Sequence, residues 1–420
     1  MQTQITQTIL ASPDGQEADA ILRSCVHCGF CTATCPTYLI LGNELDGPRG
    51  RIYQIKQLLE GAEPSDALQQ HLDRCLLCRS CETTCPSGVD YHRLMEIGRA
   101  HLENHYSRPR LDRAQRWLLR KILPRKRVFG GLLRLGQFMR PLLPDSLTRH
   151  IPPRLAPSTC NAIGRSVHSR KMLILDGCVQ PALAPNINQA TTQVLHRLGI
   201  SLIQSPLAGC CGAIEHHLDD TRAAREAARR NIDVWWPLLQ NGAEALVITA
   251  SGCGQMIKEY DHLLADDPVY AEKATQVAGA AKDIAEILLH EDLSLLHMIQ
   301  EAPPRIALHT PCTLQHGQGL NGAVEQILTR LGFSLTQVPE PHLCCGSAGT
   351  YSILNPAMAD SLGQRKSAAL MSGKPDLIAT ANIGCLTHLA RHLPDGMCIQ
   401  HWIETIAGQL QTSPPDSDSY

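Results

Sequence analysis

At 420 residues the chain is long enough for two or three domains with sizeable cores. A net charge of -2 and an aromatic content of 4% give neither the basic footprint of a nucleic-acid binder nor a base-stacking platform. Eighteen cysteines, a polar stretch from Met1 to Ala20 and no apolar run as long as a membrane span argue against a secreted disulfide scaffold; the expectation is a soluble or peripheral protein in the reducing cytoplasm, where thiols serve as metal ligands.

Eight of those cysteines lie within the first 85 residues, in two copies of one pattern: Cys25-x-x-Cys28-x-x-Cys31-x-x-x-Cys35-Pro36 and Cys75-x-x-Cys78-x-x-Cys81-x-x-x-Cys85-Pro86. This is the cysteine run of bacterial ferredoxins, in which three close thiolates grip one cubane and the fourth reaches the other cluster. By that analogy Cys25, Cys28, Cys31 and Cys85 hold one [4Fe-4S] cluster, and Cys75, Cys78, Cys81 and Cys35 hold a second. A zinc ribbon needs paired C-x-x-C knuckles and has no use for the third cysteine or the Cys-Pro. The 39 residues between Cys35 and Cys75 exceed what a compact β-rich ferredoxin uses. Within them Ile52, Ile55, Leu58 and Leu59 recur at helical spacing, and a further helix is predicted from about Tyr91 to His105. Residues 1–107 therefore read as an α-helical ferredoxin domain.

Residues 108–169 read as a basic amphipathic linker. Eleven Arg or Lys stand between Arg108 and Arg140 against one acidic residue, Asp112, interleaved with Trp117, Leu118, Val128, Phe129, Leu132 and Phe138. Arg116, Arg120, Lys121, Arg125, Lys126 and Arg127 could meet an anionic membrane surface, the segment could dock on an acidic partner, or the apolar face could pack on the protein itself. The Pro-rich stretch Ile151 to Pro157 marks a boundary.

Beyond Arg170 the chain repeats itself, over residues 170–300 and 301–420. Each copy predicts a strand ending near a lone cysteine, a helix closed by Leu-Gly, a second strand, a Cys-Cys-Gly triplet, and a further strand leading to another cysteine. The first copy uses Lys171 to Cys178, Ala190 to Leu198, Ile200 to Ile203, Cys210-Cys211-Gly212, and Ala245 to Thr249 before Cys253. The second uses Arg305 to Cys312, Val324 to Leu331, Phe333 to Val338, Cys344-Cys345-Gly346, and Leu377 to Ala381 before Cys385. Thirty-one residues separate lone cysteine from pair in both. The fold class is thus α/β in this part, two units with parallel sheets and cysteines at the strand ends where open α/β sheets place their sites.

Adjacent cysteines diverge and a vicinal disulfide is strained, so the two sets, Cys178, Cys210, Cys211, Cys253 and Cys312, Cys344, Cys345, Cys385, read as possible further iron–sulfur or zinc sites. The competing reading is that they are buried small hydrophobes. His216, His217, His309, His316, His342 and His388 are nearby ligands or proton carriers under the first reading. Gly317-Gln-Gly319-Leu-Asn-Gly322 fits a dinucleotide pattern but does not directly follow a strand, and no other flavin or nicotinamide motif appears. Cys160 and Cys398 fit neither repeat and read as structural.

Two ferredoxin motifs followed by two Cys-Cys-Gly repeats resemble the glycolate oxidase iron–sulfur subunit family. The match is carried most specifically by Cys25-Val-His-Cys-Gly-Phe-Cys-Thr-Ala-Thr-Cys35, Leu45-Asp-Gly-Pro-Arg-Gly-Arg51 and Leu343-Cys-Cys-Gly-Ser-Ala-Gly-Thr350, and covers roughly Ile21 to Ala407. The wider group includes the lactate-utilisation iron–sulfur protein, the third subunit of anaerobic glycerol-3-phosphate dehydrogenase and the Cys-Cys-Gly subunit of heterodisulfide reductase. The resemblance implies a subunit with no catalytic residue of its own for the hydroxy acid. FAD-bearing partner subunits oxidise glycolate to glyoxylate, and this subunit passes the electrons to the respiratory chain, with quinone as acceptor, at the cytoplasmic face of the inner membrane. The alternatives are the same relay in a lactate or glycerol-3-phosphate dehydrogenase, a self-contained disulfide or quinone reductase, and a zinc-holding scaffold. One departure stands out: the heterodisulfide reductase pattern ends each repeat with C-x-x-C, whereas Met256 and His388 occupy those places here.

Overall fold

The structure is a computed structural model that describes residues 1–142, 144, 148, 151–153, 168–299 and 303–411. Among the described residues the N-terminal part is helical throughout. Ser12 caps the helix Pro13–Ser24 by accepting the Gly15 N–H. Proline opens both Pro36–Leu41 and Pro48–Leu59, where its missing N–H costs no helical hydrogen bond. The predicted helix after the second cysteine run spans Tyr91–His105. Ala18, Leu22, Ile55, Leu59, Leu72, Leu94, Met95 and Leu102 close a core between these helices, and this core holds the two cysteine loops in register.

Two helices of the basic segment follow, Arg110–Ile122 and Lys126–Met139. The Pro-rich boundary Ile151 to Pro157 lies only partly within the described residues, and Cys160 lies outside them.

Each repeat then builds a parallel sheet. Strands β1 (Arg170–Ile174), β2 (Ile200–Gln204), β3 (Leu246–Ile248) and β4 (Ala281–Asp283) take the order β2-β1-β3-β4, and β5 (Ile306–His309), β6 (Leu377–Thr380) and β7 (Ile399–His401) take the order β5-β6-β7. Crossover helices such as Asn186–Arg197 and Pro356–Met371 cover the faces, as parallel pairing requires. One expectation is corrected: Phe333 to Val338 forms no strand, only an isolated parallel bridge of Leu335 to Ile306. Two backbone bonds, Ile306 N to Ser334 O and Thr336 N to Ile306 O, hold it there. Pro339 and Pro341, which lack the N–H a ladder needs, follow at once.

The two sheets share one apolar layer. Val194, Val247 and Leu288 from the first repeat meet Ile306, Ile327, Ala379, Trp402 and Ile406 from the second, and His401 Nε2 reaches Thr249 O at 2.9 Å. The helical domain docks on both repeats. Arg79 pairs with Glu259 at 2.7 Å, Thr83 bonds His316 at 2.9 Å, and the Tyr351 hydroxyl donates to Arg74 O at 3.0 Å.

Candidate metal centres

The two cysteine runs fold alike because the chain turns left-handed at the same two places in each. His27 and Gly29 have φ of 55° and 83°, and Leu77 and Arg79 have φ of 52° and 61°. Each loop thereby aims its sulfurs into a cavity. The first, about 430 Å³ counted out to its mouth, is lined by Cys25, Cys28, Cys31 and Cys85, with Cys81 at its inner edge and Ile52, Val89 and Tyr91 as an apolar wall. The second, about 300 Å³ on the same measure, is lined by Cys35, Cys75, Cys78 and Cys81, with Thr37, Arg51 and Tyr91. Cys85 of the second run thus sits with the first run, and Cys35 of the first sits with the second.

The electrostatics group the same residues. The Cys31 thiol is pushed up to about 11 by burial and then by Cys25, Cys85 and Cys28. Burial lifts Cys81 well above the ordinary thiol range, with Cys78, Cys75, Glu82 and Cys35 adding to it. Buried sulfurs that raise one another in this way fit a polynuclear cation, whose charge stabilises the thiolates that water would otherwise have to solvate. The surroundings of the second cavity fit as well. Thr37 approaches Cys35 Sγ at 3.2 Å and the Tyr91 hydroxyl donates to Cys75 Sγ at 3.6 Å, contacts of the kind that tune iron–sulfur centres. Arg51, 1% exposed, places two guanidinium nitrogens 3.2 Å from the Thr37 hydroxyl and stands 3.7 Å from Asp46, which also takes His71 at 3.0 Å and Arg74 at 3.1 Å. The sequence pattern offers Arg51 only within a helical run and a family phrase and Tyr91 only as the start of a helix, and gives Thr37 no role. The two proline-led helices after the first cysteine run, Pro36–Leu41 and Pro48–Leu59, were the available signal for Thr37 and Arg51; nothing further in the sequence marks Tyr91.

In the repeats the cysteines gather at the carboxyl ends of the strands. Cys178 follows β1 and Cys253 follows β3; Cys312 follows β5 and Cys385 follows β6. All are buried except Cys253, which is half-buried. Neighbouring thiols shift one another's proton affinity along Cys178, Cys210, Cys211 and Cys253 in the first repeat. The same holds along Cys312, Cys344, Cys345 and Cys385 in the second, where the Cys312 thiol donates to Cys344 Sγ at 3.8 Å. Asn231 and Tyr260 hold the first pair by donating to Cys210 O and Cys211 O at 2.8 and 2.7 Å.

The histidines divide. A ring nitrogen of His309 lies within 4.8 Å of the Cys345 and Cys385 sulfurs, and burial holds this imidazole down to about 3. His216 instead reaches Glu96 at 2.5 Å. His316 bridges Thr83 and His342 O, and His388 bonds Ala359 O at 3.1 Å. Cys398, expected to be structural, is exposed.

A second-repeat residue also bears on the ferredoxin-type site. The Cys78 thiol is held well up by burial and, next, by Cys312, and Leu76 packs with Cys312, Cys344 and Tyr351 in one apolar cluster. The second cavity therefore abuts the second repeat.

A 4Fe-4S dicluster domain matches residues 21–89, and a cysteine-rich domain matches twice, at residues 172–258 and 306–390. Over 411 residues the chain is 51% identical to the Escherichia coli glycolate oxidase iron-sulfur subunit, covering 98% of this chain and 100% of that one. A probable glycolate oxidase iron-sulfur subunit of Bacillus subtilis is 30% identical over 88% of both chains. Lactate utilization protein A of Bacillus licheniformis is 26% identical over 52% of this chain and 90% of its own. A solved hypothetical protein from Helicobacter pylori shares the fold, with a TM-score of 0.58 at 9% identity over 98% of this chain and 74% of its own. A dicluster domain ahead of two cysteine-rich repeats, matched nearly end to end by such relatives, places this chain in the glycolate oxidase iron–sulfur subunit family, an iron–sulfur electron-transfer component of an oxidoreductase complex.

Proposed function

We propose that the chain is the electron relay of a glycolate oxidase (glycolate dehydrogenase) complex, with two [4Fe-4S] clusters, one at Cys25, Cys28, Cys31 and Cys85 and one at Cys75, Cys78, Cys81 and Cys35. FAD resides on partner subunits, where glycolate becomes glyoxylate, and the respiratory acceptor is a quinone. The observation that carries this reading is the crossed lining of the two cavities, which reproduces the wiring of two-cluster ferredoxins. When bound, such clusters carry one electron at a time and so drain a two-electron flavin stepwise. The residues of this chain supply the rest: the thiols bind, Tyr91 donates toward Cys75 Sγ, Thr37, whose hydroxyl donates to Asp46 O, stands beside Cys35 Sγ and orients it, and the apolar wall of Ile52 and Val89 excludes water. The packing of Cys78 against the cluster that holds Cys312 and Cys344 supports an exit toward the second repeat, whose cysteines, like those of the first, are further iron–sulfur or zinc sites.

Glycolate added to the anaerobically purified complex should reduce flavin and then bleach the cluster absorption. Cys78→Ser should stop the second event and leave the first. Loss of flavin reduction in an intact complex would refute the relay, and reduction by lactate in place of glycolate would move it to a lactate dehydrogenase.

We further propose peripheral contact with the cytoplasmic face of the inner membrane. Among the described residues no helix is long and apolar enough to cross a membrane, but Trp117, Leu118, Leu132, Leu135 and Phe138 are exposed along the basic helices.

A further inference from the structure

The two repeats differ at one pair of positions. In the second, His309 and Thr380 are partners across β5 and β6, and the Thr380 hydroxyl lies 3.0 Å from His309 Nδ1. Counting back from the lone cysteine, and following the β1–β3 register one step beyond Ile174–Val247, the same places in the first repeat hold Leu175 and Ile248. A purely structural position would favour the apolar pair, because His309 is 2% exposed and its Nε2 has no hydrogen-bond partner. A ring nitrogen of this imidazole stands with two sulfurs. The ligand atoms of His309, Cys345 and Cys385 all lie within 4.8 Å of one another, the one such group among the described residues. Around a tetrahedral ion, with bonds of about 2.3 Å to sulfur and about 2.1 Å to nitrogen, neighbouring donors stand roughly 3.5–3.8 Å apart. A small inward movement closes the set, and the Cys312–Cys344 pair lies beside it to complete coordination.

We propose that the second repeat binds a thiophilic metal ion through His309 together with Cys345 and Cys385, and that the first repeat, lacking the histidine, has only its cysteines to offer. This rests on the reading of the repeats as metal sites and assigns the ligand that distinguishes them. Thr380 is a positioning residue, fixing the ring so that Nε2 faces the sulfurs, as outer-shell partners of ligating histidines do. One imidazole with thiolates suits either zinc or iron.

The complex is purified anaerobically, and iron and zinc are counted per chain for the wild type, His309→Leu, Cys385→Ser and Thr380→Val. Pulsed electron paramagnetic resonance reads nitrogen coupling to a paramagnetic iron, and zinc-edge X-ray absorption reads a nitrogen neighbour of zinc. His309→Leu and Cys385→Ser should each lose the metal of one centre with the ferredoxin-type signals intact. Thr380→Val should hold that metal about 10- to 100-fold more weakly against a chelator. Loss in Cys385→Ser with none in His309→Leu would overturn the histidine ligand and leave the repeat reading standing; loss in neither would overturn both. Should His309→Leu not accumulate, absence of a nitrogen signal from the wild type at both metals refutes the proposal.

Discussion

At Gly346 the backbone has φ of +93°, and a Cβ there would stand 2.6 Å from Ala359 O and 2.9 Å from Leu362 Cβ. Gly212, with φ of +91°, makes the same approach more loosely, 3.2 Å from Ala224 O. The third residue of each Cys-Cys-Gly triplet is therefore set by a left-handed turn pressed onto the next helix, independently of any metal. Gly346→Ala should cost about 1–3 kcal/mol, seen as a lower melting temperature, and more than Gly212→Ala; equal effects would contradict this account. Tyr91 makes a redox prediction at the same scale. Burial, then Cys75, keeps its phenol protonated, so it remains a donor to Cys75 Sγ. A hydrogen bond worth about 1 kcal/mol more to the reduced centre corresponds to about 40 mV for one electron. Tyr91→Phe should lower one cluster potential by roughly that amount in a redox titration, and an unchanged titration would show that the contact does not tune the site.

The basic helices separate into a part spent on the fold and a part left free. Arg116, one of six cations expected to face a membrane, is buried against Asp73, Asp112 and Asp219. Arg120 pairs with Asp220 at 3.0 Å and Lys126 with Asp176 at 2.8 Å. Lys121, Arg125 and Arg127 stay exposed beside the apolar stripe. If each is worth about 1 kcal/mol at an anionic surface, replacing these three with Gln should release the chain from anionic vesicles at lower salt. Arg116→Gln should instead lower stability; vesicle binding unchanged in the triple variant would leave the stripe without a lipid role. Charge count along the sequence could not make this division, since the carboxylates that claim Arg116 and Arg120 lie up to about a hundred positions away. Local pattern did locate Tyr91–His105 and the strands that end near cysteines, because periodicity and Pro or Gly punctuation are local. It failed at Phe333 to Val338, where apolar alternation met two prolines.

Contacts between domains were not legible in the sequence at all, and beside one of them an ion pair within a single helix makes stability depend on pH. Glu96 of the helical domain reaches His216 of the first repeat at 2.5 Å and His92 at 3.2 Å, and the carboxyl is held well below its usual range: burial opposes this, but His216 and His92 outweigh it. Burial by itself would lower His92, yet Glu96, with Glu259 behind it and against the opposing charge of Arg79, raises it from 6.5 to about 9. A histidine raised on folding stabilises fully below its unfolded value and loses that contribution as pH climbs through its folded value. The window for His92 is therefore pH 6.5 to about 9. His217, fully buried nearby and lowered to about 3 by burial and then by His216, acts the other way: its cost appears below pH 6.5, when the unfolded imidazole protonates. Melting temperature measured anaerobically should thus fall between pH 7 and 9 in the wild type, by an amount equivalent to at most about 3 kcal/mol. His92→Gln should flatten that decline without changing the fall on the acid side. A His92→Gln profile parallel to the wild type above pH 7 would show that the Glu96 bridge does not carry the dependence.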